Sequence, residues 1–382
     1  MVFRNEVELL RDRGIDVVTY ERQNDEIKNG PGKLSQAFNT VWSRKAYKEI
    51  KSLIKSEKPD IAHVHNFWYL ISPSIFYACS EASVPVVQTI HNFRSVCVNG
   101  LLLKNGVVCE ECIGKKPWRG VAHGCFRNSK LYSLPVALAE GIHAAKGTWH
   151  NMVDTYITLS RFGKEKLSAG GLPVAKMHIK PNFLPHPPEP SFGDGKYIIF
   201  LGRLTPEKGV DTLLEGFKIL RTRSNIDISL KIVGGGPLLN SLRSKIESKK
   251  IPGVELLGMK SHAECMDLLR NAQFMVMPTA CYEMFPLTPI EAFACGKPVV
   301  ASRLGALAEI VEDGRTGLLF EPQSAADLAA KMRRLLGSRD ACADMGKRAR
   351  AEFEKRYMAE RNFEVLMNIY EKTVERYKNV EH

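Results

Sequence analysis

The sequence predicts an α/β chain folded as two domains around parallel sheets, and three observations carry that reading. Short apolar runs end in Gly, His or Asn turns and alternate with helical patterns, as parallel strands joined by crossover helices do. The 382 residues are enough for two cores rather than one, because single cores stop growing at about 250–300 residues. The segment Leu184-Pro-His-Pro-Pro-Glu-Pro-Ser-Phe-Gly-Asp-Gly195 concentrates four prolines and two glycines, the composition of a linker. The expected boundaries are therefore a first domain at 1–185, a linker at 186–195, a second domain at 196–355 and a terminal helix at 356–382.

The elements follow in order. Phe3, Val7 and Leu10 are spaced for one face of a helix that Gly14 stops, and Ile15–Tyr20 reads as a strand. Pro59-Asp-Ile-Ala-His-Val-His65-Asn66 and Val84-Pro-Val-Val-Gln-Thr-Ile90-His91-Asn92 are strands running into polar turns. They place His65, Asn66 and His91 at carboxyl ends, with Arg94 just beyond. Tyr156–Ser160 and Ile179–Phe183 continue the pattern. In the second half, Lys196–Leu201 is a buried strand, and Gly202-Arg203-Leu-Thr-Pro-Glu-Lys208-Gly209 precedes the helix Val210–Leu220. Two cations in a strand-to-helix turn make a site for a diphosphate. Ile228–Val233 leads into Gly234-Gly235-Gly236, where a backbone can approach a ligand closely. Gly253–Gly258, Phe274–Met277 and Lys297–Ala301 are further strands. Ala351–Val380 reads as one long charged amphipathic helix.

Between the last two of these strands lies Glu283-Met-Phe-Pro-Leu-Thr-Pro-Ile-Glu291, two carboxylates eight positions apart. Pro286 and Pro289 keep Glu283 off a regular helix, while Pro289 suits the first turn of a helix carrying Glu291. Backbone N–H groups near Phe285, Pro286, Leu287 and Thr288 would face an anionic or hydroxyl-rich ligand. Taken with the Gly-Arg-Leu-x-x-Glu-Lys-Gly turn and the glycine turn after the next strand, this segment resembles the Glu-x7-Glu signature of glycosyltransferase family 4. These are retaining enzymes with the GT-B fold, two Rossmann-like domains whose parallel sheets face a central cleft.

The resemblance implies a nucleotide diphosphate-sugar donor, linked to UDP or GDP, and a sugar or lipid-linked hydroxyl acceptor, in polysaccharide or glycolipid assembly. It assigns donor binding to Arg203, Lys208 and Glu291 with Gly202, Gly235, Phe285, Pro286 and Leu287. Glu283 and His91 take the catalytic positions near the transferred sugar, and His65, Asn66 and Arg94 are the acceptor-side candidates. It implies no cofactor for catalysis. It also implies a strand and a Gly-rich loop ahead of the first helix, whereas this sequence opens inside that helix; if the strand is missing, poor stability of the first domain and weak or no transfer are expected. A nucleotide-binding remnant and a same-fold epimerase stand as alternatives; no motif offers the lysine a pyridoxal-dependent phosphorylase needs.

Net charge is +12, and the first 190 residues hold 25 Lys and Arg against 17 Asp and Glu. No zinc finger or RNA-binding aromatic motif accompanies that charge, so nucleic acid is excluded as the partner. Peripheral contact with the inner face of a membrane, from the cytoplasm, is the expectation that the resemblance adds. No run reaches the length of a transmembrane helix. Finally, Cys97, Cys109, Cys112 and Cys125 fall within 29 positions of the 97–125 insert, with one Cys-x2-Cys pair and glycines for tight turns. The spacing suits a structural zinc site, and free cysteines in a mobile loop are the alternative.

Overall fold

A computed structural model describes residues 2–23, 33–193, 195–223, 226–249 and 251–380. The chain forms two compact units. The first comprises Met1–Lys104, Cys109–Pro181 and Asn362–His382, and the second Asn105–Val108 and Asn182–Arg361. The partition thus falls just ahead of the proline-rich segment, because residues 182–184 are laced to the second unit. Asn182 donates to the Phe285 carbonyl at 3.1 Å, and Leu184 bridges Met358. Asp194 of the linker, and the last two residues of the terminal helix, lie outside the described residues.

In the first unit, β1 (Ala62–Val64), β2 (Val86–Ile90), β3 (Thr155–Thr158) and β4 (Met177–Ile179) form a parallel sheet in that spatial order. The helices Val2–Asp12 and Ala359–Val380 share one core with it, Leu10, Leu366, Ile369 and Tyr370 closing over Val87 and Ile157. Gly14 ends the first helix at φ +78°, its N–H bonded to the Arg11 carbonyl. Ile15–Tyr20, expected as a strand, is not one. Ile15 and Val17 pack partly buried against the core, but among the described residues no strand pairs with this segment. Extended backbone without a ladder partner satisfies its groups otherwise: Ile15 N–H bonds Leu10, and the Arg11 guanidinium bonds the Val17 carbonyl at 2.8 Å.

The second unit holds a six-stranded parallel sheet. Its strands are β5 (Tyr197–Leu201), β6 (Ser229–Val233), β7 (Val254–Gly258), β8 (Phe274–Met277), β9 (Val299–Ser302) and β10 (Gly317–Phe320). The spatial order is β10-β9-β8-β5-β6-β7. The winding reverses between β5 and β8, and ligands of open α/β sheets bind outside the carboxyl ends at such a point. The core is large, with Ile198, Phe200, Phe217, Phe274 and Phe320 each at most 2 % exposed.

The expected single terminal helix is two, Arg339–Arg356 and Ala359–Val380. The break has a packing cause. Tyr357 is fully buried against the Phe285 ring at 5.7 Å, and Met358 leaves helical geometry to bridge Leu184. Among the described residues no helix is long and apolar enough to cross a membrane.

Candidate functional site

The turns leaving β5 and β8 meet at the reversal point of the second sheet. Lys208 Nζ lies 2.5 Å from Glu283 Oε1, each side chain 17 % exposed. Thr279 Oγ1 donates to the Glu207 carbonyl at 2.9 Å and approaches Glu283 Oε1 at 3.4 Å; Ala280 N–H donates to the same carbonyl. Gly209 makes this closeness possible. It sits at φ +68°, and a Cβ there would lie 1.8 Å from the Pro278 carbonyl oxygen. Gly234 does the same for the turn after β6, where a Cβ would lie 1.8 Å from the Gly202 carbonyl oxygen. Leu204 N–H then reaches the Gly235 carbonyl at 2.9 Å. Arg203 is exposed between these turns, and Gly235 faces Met259.

Glu291 follows in the short helix Thr288–Ala294, with Pro289 in its first turn and no side chain capping it. The carboxylate is 5 % exposed and takes a hydrogen bond from His262 Nε2 at 3.2 Å. That bond to Glu291 raises the His262 pKa against the opposing effect of partial burial. Phe285 is buried, while Pro286 and Leu287 are half-buried.

In the first unit, His91 ends a chain of buried polar groups. His65 Nε2 donates to Glu6 Oε1 at 3.2 Å, and His65 Nδ1 lies 2.9 Å from His91 Nε2. With neutral rings the carboxylate fixes both tautomers: His65 Nδ1 must accept, so His91 Nε2 carries the hydrogen and Nδ1 the lone pair. Burial, then the charge of His65, pushes His91 down to about 3, and burial pushes His63 down to about 4. Burial alone would raise the Glu6 carboxyl, but Lys180, 2.6 Å away, and then His63 hold it well below its ordinary value. Glu6, His63 and His65 bring three possible metal donors within 4.8 Å. The Lys180 ammonium on Glu6, and His63 held by Tyr370 and Thr89, satisfy that group without a cation.

Of the sequence-derived candidates, Lys208 with Glu283, and His65 with His91, are brought into direct contact. Asn66 and Arg94 do not join the histidine chain. Asn66 Oδ1 accepts from Trp68 N–H at 3.4 Å, and the Arg94 guanidinium lies over the rings of Tyr69 and Phe126. Sequence reasoning missed Glu6, His63, Lys180, Thr279 and His262. For His262 a signal existed: Ser261-x-x-Glu264 forms a capping box just after β7, which places His262 at a helix start near a strand end.

Two parallel-sheet units in one chain, one of them a six-stranded doubly wound sheet with a cation–carboxylate pair at its reversal point, match the GT-B class of sugar-transfer proteins. The model of Glycosyltransferase Family 4 matches residues 2–186, and that of glycosyl transferases group 1 matches residues 185–352. The chain belongs to glycosyltransferase family 4. An uncharacterized glycosyltransferase of Methanocaldococcus jannaschii is 34% identical over 179 residues, 47% of this chain and 49% of that protein. The D-inositol 3-phosphate glycosyltransferase of an Arthrobacter strain is 28% identical, over 77% of this chain and 66% of its own length. The chain therefore spans between about half and two thirds of these curated relatives. Among solved structures, Anabaena HepE in complex with UDP and glucose superposes with TM-score 0.62 at 16% identity, covering 97% of this chain and 88% of that one. A Rickettsia africae glycosyltransferase gives TM-score 0.64 at 16% identity, covering 96% and 87%. At such identities the likeness concerns the fold.

Proposed function

We propose that this chain transfers a sugar from a nucleoside diphosphate-sugar to a hydroxyl acceptor with retention of anomeric configuration, in polysaccharide or glycolipid assembly. The observation that carries the proposal is the Lys208–Glu283 pair at the reversal point, with Arg203 on the turn after β5 and Glu291 in the helix Thr288–Ala294. The diphosphate is the leaving group, and Arg203 and Lys208 stabilise the negative charge that grows on it as the glycosidic bond breaks. A diphosphate carries more charge than Glu283, so it draws Lys208 toward itself and frees the carboxylate for the sugar hydroxyls. Glu291, oriented by His262, accepts from the ribose hydroxyls. His91, neutral near pH 7, orients the transferred sugar through hydrogen bonds rather than charge.

The solved complex of Anabaena HepE with UDP favours UDP over GDP as the leaving nucleotide. A lipid-linked acceptor, met from the cytoplasm at the inner face of a membrane, is favoured by the helix Lys130–Ala145 of the first unit. Its Leu131, Leu134, Leu138 and Ile142 are exposed along one face, beside Arg127, Lys130 and Lys146.

Thermal unfolding with UDP, GDP or ADP, followed by an acceptor screen with UDP-sugars, tests the reading. Ligand at ~100 times its dissociation constant stabilises by ~2.7 kcal/mol. Stabilisation by one nucleotide, lost in Arg203→Ala, and a product with the donor's anomeric configuration are expected. Nucleotide binding without any acceptor-dependent release would leave a binding remnant, and an inverted product would overturn retention.

A further inference from the structure

The cysteines of the 97–125 insert do not gather: among the described residues no three of their sulfurs stand within 4.8 Å of one another. Glu6, His63, His65 and His91 do interlock. We propose that Glu6, held by Lys180 and acting through His65, is a positioning residue for sugar transfer. It makes His91 meet the transferred sugar with a lone pair rather than a proton, so the bound sugar must offer a donating hydroxyl there. The proposal rests on the transfer reading given above.

His65 and His91 each directly follow a strand, β1 and β2, and these strands pair in parallel. Ligands of α/β sheets sit at such carboxyl ends. Glu6 comes from the first helix and is 2 % exposed, and its two oxygens are divided. Oε2 takes Lys180 Nζ at 2.6 Å; Lys180 also donates to Asn362 Oδ1 at 2.9 Å, and Asn362 donates to the Pro181 carbonyl. Oε1 is left for ring N–H groups, with His65 Nε2 at 3.2 Å and His63 Nδ1 at 3.1 Å. A neutral imidazole has one N–H, and in His65 the carboxylate claims it. His65 Nδ1 is then an acceptor for His91 Nε2 at 2.9 Å. Rings pack His65 on three sides, Phe3 edge-on at 5.3 Å, His63 at 4.5 Å and His91 stacked at 5.1 Å, so it cannot turn over without displacing them. Among the described residues nothing bonds His91 Nδ1, which is the atom left for a ligand.

Burial of a carboxylate, an ammonium and imidazoles is a poor route to stability, since apolar residues of similar volume often do as well or better. Fixing a tautomer is a use that apolar residues cannot serve. As the glycosidic bond breaks, the anomeric carbon gains positive charge. A lone pair facing the sugar favours that charge, and an N–H dipole opposes it. Lys180 balances Glu6, so the chain of groups keeps one protonation state and passes no proton.

The test joins nitrogen NMR of the unliganded full chain to kinetics in the transfer assay. Long-range proton–nitrogen spectra should show His91 with Nε2 protonated and Nδ1 bare. His65→Leu leaves Glu6 its bonds to Lys180 and His63. It should give mixed His91 tautomers and lower kcat about 10²-fold, the scale of a misplaced group, at nearly unchanged donor KM. His65→Asn, whose amide oxygen can stand in for Nδ1, should restore the Nε2 tautomer and most of kcat. A merely structural role predicts lower unfolding midpoints with tautomer and kcat unmoved; that result, or a wild-type His91 protonated on Nδ1, overturns the proposal. Should the variants fail to fold, the unsubstituted chain decides: its His91 Nδ1 resonance should move on saturation with the stabilising UDP-sugar and not with UDP, and an Nδ1 blind to the sugar overturns the role. Failure of the transfer reading shows separately, as no nucleotide stabilisation with the Nε2 tautomer intact.

Discussion

Lys208 Nζ and Glu283 Oε1 are 2.5 Å apart although 75 residues separate them in the chain, and their contact joins the turn after β5 to the loop after β8. Both are partly exposed, so the pair itself contributes little stability. Its value is positional. Lys208→Ala and Glu283→Gln are each expected to lower kcat about 10²–10³-fold, the scale for losing one preorganised electrostatic group. The double variant should fall less than the product of the two, since the residues act on one donor. Purely multiplicative losses, measured by kcat in the transfer assay, would count against a shared role.

The hydrogen bond that raises the His262 pKa gives a pH-dependent signature. A folded pKa above the unfolded value contributes stability that is complete below about 6.5 and disappears as pH rises through the folded value. Glu291→Gln should therefore destabilise more at pH 6 than at pH 8, and the His262 NMR titration should move down. The same variant should weaken nucleotide binding by about 10- to 100-fold, the worth of a charge-assisted hydrogen bond. An unmoved His262 titration would refute the contact.

Buried neutral histidines make the first unit acid-sensitive. His63 and His91 titrate at about 4 and about 3 in the folded chain, facing Glu6, Lys180 and His65. Unfolded, both take up protons near pH 6.5, so stability falls as pH drops below that value. The slope approaches about 1.4 kcal/mol per pH unit for each histidine. Urea unfolding between pH 7 and pH 5 measures it, and His63→Asn should flatten the curve. A wild-type curve already flat over that range would refute the burial argument.

Gly209 is a point where backbone freedom is obligatory. Gly209→Ala must relieve both a φ of +68° and an approach of 1.8 Å to the Pro278 carbonyl. Strain of this kind costs about 1–3 kcal/mol, and the Lys208 turn should move away from Glu283. A lower unfolding midpoint together with lost nucleotide stabilisation is the expected result, whereas full nucleotide response in Gly209→Ala would show that the turn is dispensable.

The exposed apolar face of Lys130–Ala145 predicts sedimentation with anionic vesicles that weakens with salt and in Leu138→Glu. Leu138 is exposed, so the substitution should leave the unfolding midpoint nearly unchanged. Equal sedimentation of both chains would remove the membrane contact.

Much of this was legible from local pattern alone. Buried runs marked β1 to β3 and β5 to β9, set β4 late at Ile179–Phe183 against Met177–Ile179, and left β10 unmarked; glycine and proline marked the turns; and the two glutamates announced a loop-then-helix placement that the structure has. These signals are local because strand alternation, left-handed turns and proline at a helix start are settled by neighbouring atoms. Pairing and burial are not local. Ile15–Tyr20 carries a strand pattern yet has no ladder partner, and the terminal helix breaks because Tyr357 and Met358 find partners at Phe285 and Leu184. Glu6 lies on an amphipathic helix whose pattern says nothing of Lys180, 174 positions away, or of the histidine chain it orients. The sequence by itself determined most of the elements, their order and the loop-then-helix placement of Glu283 and Glu291. Only the tertiary structure decided which of those residues touch, because the order of strands in a sheet is set by core packing across the whole chain rather than by any window of it.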